Sequence, residues 1–184
     1  MPGQLQQEYP EVGAQLIAPD AVAEAGQLPF GDNRLDFIIA SHVLEHLPFP
    51  LAALRNWYQV LAPGGNLVLK VPDKRYSFDI RRPRTRLQHL IDEDRDRTAF
   101  DKRAHFADWV EHVEGKQRNT LPWEHETNRL MEIDYSIHYH VWTDEDVRDL
   151  LDYTRHALGM DWRPILFFPA RFYRKECAVV MRKG

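Results

Sequence analysis

Between residues 34 and 72 two short apolar runs flank an amphipathic stretch, and that pattern leaves few folds open. The first run, DFIIAS at 36–41, is continuously apolar at its centre, as expected of a strand covered on both faces. The second, NLVLKVP at 66–72, closes on Pro72. Between them Leu51, Leu54, Tyr58 and Leu61 recur at helical spacing, Pro50 suits a first helical turn, and Gly64–Gly65 suit an exit. Two apolar strands joined through a helix predict a right-handed β-α-β unit in a parallel sheet.

The flanking segments read differently. Residues 1–33 are polar, and only Leu16–Ile17 and Ala21–Ala23, either side of Pro19, suggest one short strand or two. Residues 73–136 are rich in charge and aromatics and predict helix. Phe106, Val110 and Val113 form one apolar stripe there, and Leu87, Leu90 and Ile91 another. The intervening DEDRDR reads as a solvated face. From Thr143 a well-marked helix is predicted, with Asp146 completing its cap, Val147, Leu150, Leu151 and Leu158 on its buried side, and Gly159 at its end. WRPILFFPARFY and ECAVVMRK then predict an antiparallel pair. The expectation is one α/β domain over 1–184, with 73–136 as a helical insertion.

Composition narrows the function. The balance of 24 basic and 28 acidic residues, a net charge of −4, argues against general affinity for nucleic acid or anionic lipid. Cys177 is the single cysteine, so no intrachain disulfide is possible and a reducing compartment is expected. No apolar run approaches the ~20 residues of a membrane span. A cytoplasmic location with no membrane partner is the expectation.

At the carboxyl end of the first strand stand Ser41, His42, Glu45 and His46. In an open parallel sheet, ligands bind beyond such strand ends. The stretch from Glu24 to Pro72, with its LPF, its VLEH and its LAPGGNL turn, resembles class I S-adenosylmethionine-dependent methyltransferases of the type 11-like group. The resemblance implies a partial Rossmann-like sheet with strands equivalent to 4-5-7-6. It implies S-adenosyl-L-methionine as cofactor, with Glu24 accepting from the adenine amino group, the Ala25 N–H meeting the ring and Leu28 supporting its face. Ser41 and His42 would lie beneath the methionine part. Glu45 would sit at the substrate mouth, with His42, His46, His138 and His140 as candidates for proton transfer.

One family element is missing. No Gly-x-Gly occurs, and the space before Asp36 is too short for two strands and two helices. The chain is therefore expected to begin inside its own fold, with 1–33 as the remnant of an N-terminal half, and to be inactive in isolation; the alternative is a methyltransferase-like binding or scaffold protein that has lost cofactor binding. Loss of the neighbouring strand would leave Asp36–Ser41 as an apolar edge, which soluble proteins avoid. A homodimer or a complementing chain is expected to cover it.

Arg81, Arg82, Arg84 and Arg86 read mainly as a solvated face. Arg81 and Arg82 are also candidates, with Glu45, His138 and His140, for binding a small anionic acceptor such as a sugar phosphate or glycan. His138 and His140, two apart, would share a face of a strand. With His89, His105 and His125 they invite comparison with a metal site. No H-E-x-x-H or cysteine pair supports one, and no metal centre is expected. Trp109, Trp123, Trp142 and Trp162 are expected in the core.

Overall fold

The computed structural model describes residues 19–184. Strand β1 (Leu35–Ser41) leads through α1 (Pro50–Val60) into β2 (Leu61–Pro72), which pairs with it in parallel. Pro50 occupies the first turn of α1, where its missing N–H costs nothing. Leu61 opens β2 rather than closing the helix, so the exit glycines lie within the strand's irregular start. There the register slips between Leu35 and Phe37. A Cβ on Gly65 would stand 2.8 Å from the Ala62 carbonyl oxygen and 3.0 Å from those of Leu35 and Asp36. Only a residue without Cβ lets the two strands approach so closely.

Three helices follow, α2 (Leu87–Arg95), α3 (Lys102–His112) and α4 (Leu121–Glu132). The stretch read as continuous helix breaks at Asp96 and Asp101, whose carboxylates accept from the N–H of Thr98 and Ala104 and so start new turns. Phe106, Trp109 and Val110 pack with Leu130 and Ile137 in a core of their own, joined by Trp123. Leu90 instead joins the main core, with Leu87 and Ile91 against it. Helix α5 (Asp144–His156) carries the expected capping box between Thr143 and Asp146, and Gly159 takes φ +68° beyond its end.

Strands β3 (Trp162–Phe168) and β4 (Glu176–Lys183) complete a four-stranded sheet in the order β1-β2-β4-β3, antiparallel beyond β2. This is the order and sense expected of strands 4-5-7-6. Leu67, Leu69 and Val71 of β2 and Cys177, Val179 and Met181 of β4 face α1 and α5, whose Leu54, Trp57, Val147 and Leu150 are buried against them. Trp142 and Trp162 lie in the same core.

Two expectations for the N-terminal block meet different ends. Ala21–Ala23 is exposed and irregular, not a strand: it pairs with nothing in the sheet. Leu16–Ile17 lies outside the described residues.

Candidate functional site

The sheet hands its polar cluster to the helical insertion through one backbone device. The His42 N–H donates to the Lys70 carbonyl, the last link of the β1–β2 ladder (3.0 Å), and His42 then adopts φ +54°. A side chain in the left-handed region is strained, by about 1 kcal/mol or more, and persists only where its surroundings hold it. Here Nε2 lies 2.7 Å from Glu176 Oε2 on β4, while Glu176 Oε1 pairs with Lys70 at 2.6 Å. The sharp turn throws Leu44–His46 into a single 3-10 turn, with Leu44 fully buried as its anchor.

That turn collects the site. The Glu45 carbonyl accepts from Tyr139 N–H at 2.8 Å, drawing 136–140 across the strand end. His46 Nδ1 lies 2.9 Å from the Ile137 carbonyl and 3.0 Å from Ser136 Oγ. His138 Nδ1 lies 2.7 Å from Asp79 Oδ2, and the two histidine rings meet edge-on with centroids 4.7 Å apart. Asp79 in turn holds Arg82 (3.0 Å), which also donates to the His138 carbonyl (2.8 Å) and to Asp108 (2.7 Å). Each Nδ1 faces a carbonyl or carboxylate acceptor, and in the neutral tautomer with its proton placed there a ring offers a lone pair on Nε2.

Glu45 is the anomaly. It is 1% exposed, and neither carboxylate oxygen has a hydrogen-bond partner among the described residues; His42 Nδ1, 3.4 Å from Oε1, is its nearest counter-charge. Burial pushes its carboxyl up from the ordinary range, against the pull of its own backbone N–H, His138 and His42. Burial, and then the neighbouring His138, push His46 down. Burial would raise Asp79, but the His138 hydrogen bond and the charges of His138 and Arg82 outweigh it and hold Asp79 low.

A second histidine cluster lies along a cavity of about 590 Å³ between the start of α2 and α3. Glu93 Oε1 lies 3.1 Å from Nε2 of both His89 and His105. Burial alone would raise Glu93, yet those two bonds bring it to about 2. Glu93 belongs to the DEDRDR run read as solvated; Asp92, Arg95, Asp96 and Arg97 are exposed, and Glu93 alone is buried, at 4% exposure, and departs from that reading. The signal available was Leu90: three residues earlier on one helix, it shares the inward face with Glu93.

Other expected residues separate. His138 and His140 are not on a strand, and the irregular backbone sends them into different clusters. His140 is fully buried, stacked on Trp142 and bound to the Pro48 carbonyl, so it cannot meet a substrate as read from sequence. Arg82 is 3% exposed with its guanidinium spent on Asp79 and Asp108, which corrects its assignment to an acceptor; Arg81 is exposed. Ser41 is exposed at the end of β1. Ala25 and Leu28 are tied to α1, by Trp57 Nε1 to the Ala25 carbonyl (2.7 Å) and Leu28 N–H to Asn56 Oδ1 (2.7 Å). Glu24 lines a cleft of about 410 Å³ with Gln27, Leu47, Phe49, Asn56 and Arg97. Among the described residues no helix is long and apolar enough to cross a membrane.

Residues 5–152 match a family model described as "Methyltransferase domain". A 54-residue stretch is 37% identical to the ubiquinone/menaquinone biosynthesis C-methyltransferase UbiE of Neisseria gonorrhoeae, covering 29% of this chain and 22% of that protein. A Rhodobacter sphaeroides structure described as a candidate Zn-dependent alcohol dehydrogenase superposes with TM-score 0.55 at 13% identity, over 99% of this chain and 70% of that one. An Aquifex aeolicus SAM-dependent methyltransferase gives TM-score 0.48 at 13% identity, over 99% and 63%. At 13% identity the likeness to the Rhodobacter structure is one of fold.

Proposed function

The chain belongs to the methyltransferase domain family, and from that premise we propose that it serves transfer of a methyl group from S-adenosyl-L-methionine to a small acceptor held at the His42–Glu45–His46–His138 cluster. The observation that carries this reading is the cluster itself, four ionisable side chains converging at the carboxyl end of β1.

The residues around Glu24 fit the cofactor. Glu24, on the cleft wall, makes no ion pair among the described residues, and the N–H of the neighbouring Ala25 makes no hydrogen bond there. They complement the amino group and ring nitrogen of an adenine edge. S-adenosyl-L-methionine, when bound, supplies an electrophilic methyl carbon on a sulfonium. The chain's own task is alignment and proton removal. Nε2 of His46 or His138 takes the proton of an acceptor hydroxyl. Asp79 steadies the imidazolium that results on His138.

For the acceptor, a small anionic molecule of the sugar-phosphate or glycan class remains the reading. Its support is Arg81, exposed and without an ion pair among the described residues, two positions beyond the Asp79 that holds His138. A second copy, or a complementing chain, pairs along the outer edge of β1. Titration calorimetry with S-adenosylhomocysteine tests the cofactor reading: micromolar binding lost in Glu24→Ala supports it, and no heat from folded protein at millimolar ligand overturns it.

A further inference from the structure

We propose that Glu45, His46 and His138 form a binding site for one divalent transition-metal ion. One ligand atom from each lies within 4.8 Å of the others. The Glu45 carboxylate is buried at 1% exposure, and among the described residues neither oxygen has a hydrogen-bond partner and His42 Nδ1, 3.4 Å from Oε1, is its nearest ion-pair contact. A charged group in that state costs free energy unless a counter-charge meets it, and hydrogen-bond accounting in folded proteins seldom leaves one so. A cation between Glu45 and the two rings answers that deficit directly.

The surrounding bonds are those a metal site needs. Metal-binding histidines present one nitrogen to the ion and donate the other N–H to a carboxylate or carbonyl, which fixes the ring. His138 does so to Asp79, and His46 to Ile137. With the proton on Nδ1, each neutral ring would offer Nε2, the form in which imidazole ligates. Asp79 is itself held by Arg82 and by Ser77 Oγ, which accepts from its N–H, so the support extends another layer. With metal–ligand distances of about 2.0–2.2 Å, bound donor atoms stand roughly 3 to 3.5 Å apart. An ion therefore draws the cluster inward without moving an element.

Two imidazoles and one carboxylate favour zinc, iron, cobalt or manganese over calcium or magnesium, which prefer all-oxygen shells. The competing cluster is less suited. His105 spends both nitrogens, on Glu93 and on the Tyr139 carbonyl, and Glu93 already receives two histidines. The site stands without the methyl-transfer reading; where that reading holds, an ion on the two Nε2 atoms would replace their proton-accepting role, and the positions left open would take the acceptor oxygen.

The test is titration of chelator-stripped protein with Co²⁺, followed by visible absorption, and with Zn²⁺ by equilibrium dialysis. No cofactor or acceptor is present, so failure here is separable from failure of the methyltransferase reading. We expect one ion per chain and loss of binding in Glu45→Gln and His138→Gln. Asp79→Asn should bind about 10- to 100-fold more weakly, as removal of an outer partner does. His89→Gln, in the other cluster, should bind as the wild type. Circular dichroism reports folding, and His46→Gln, on a half-exposed ring, repeats the test should the buried variants melt. Absence of binding by folded wild type overturns the proposal, as does binding that survives Glu45→Gln and is lost in His89→Gln.

Discussion

Asp79 Oδ2 lies 2.7 Å from His138 Nδ1 while its other oxygen lies 3.0 Å from Arg82 Nη1, and all three residues are buried. One carboxylate thus neutralises a guanidinium and orients an imidazole. Asp79→Asn keeps the shape but leaves Arg82 with only Asp108 as counter-charge. Breaking a buried pair from one side costs about 3–5 kcal/mol, and the isosteric amide should fall near about 3 kcal/mol. Urea denaturation at pH 7 measures it. A loss under about 1 kcal/mol would mean that Asp108 alone satisfies Arg82.

Acid should unfold this protein earlier than its surface charge suggests. Burial, with the nearby His105, holds His140 at about 3. Below its ordinary value of 6.5 the unfolded chain takes up a proton that the folded chain refuses, so stability falls from pH 6.5 towards 3. Glu93, held at about 2, contributes stability that is full above 4.5 and lost as pH falls through that folded value. His89, raised by its bond to Glu93, adds stability that is full below 6.5 and lost as pH rises through its folded value. One proton bound only by the unfolded state changes stability by about 1.4 kcal/mol per pH unit. Urea midpoints at pH 7, 5 and 4 should decline in the wild type and less steeply in His140→Gln. Equal slopes would remove His140 from the account.

The frame was legible in the sequence because its signals are local. The apolar runs DFIIAS and NLVLKVP, Pro50, and the Thr143–Asp146 cap each fix an element within a few residues. At the site, SHVLEH was legible through its place at a strand end, but the partners were not. Asp79 and Glu93 sit in charge-rich stretches where an exposed face is the ordinary outcome, and only tertiary packing turns one carboxylate of each stretch inward. His138 and His140 share a face only if the stretch is a strand, and the backbone there is irregular.

Gly65→Ala should be among the most damaging substitutions outside the core. Its new methyl would meet three backbone carbonyl oxygens at 2.8 to 3.0 Å, none of which can rotate away. Overpacking of this kind costs about 1–3 kcal/mol, and here it opens the β1–β2 register on which His42 depends. A lowered urea midpoint, with weaker binding of S-adenosylhomocysteine, is the expected outcome. An unchanged midpoint would mean that the strand start relaxes freely.

Strand β1 is an edge of the described sheet, and on it Phe37 and Ile39 are 64% and 63% exposed. Ile39 also begins a row that runs through Val68 and Val180 to Leu166, itself 50% exposed, on the face away from α1 and α5. An apolar strand with unpaired N–H and C=O groups templates pairing with another chain, and natural proteins cover or charge such edges. Here the edge residues carry no charge between Phe37 and Ser41. The expected state at micromolar concentration is therefore a dimer joined along β1, seen as twice the chain mass by light scattering. Ile39→Lys places a charge beside the joint without touching the buried face, where Ala40 packs, and should yield a folded monomer. A monomeric wild type would show that the edge is covered from within the chain. A dimer that persists in Ile39→Lys would place the joint elsewhere.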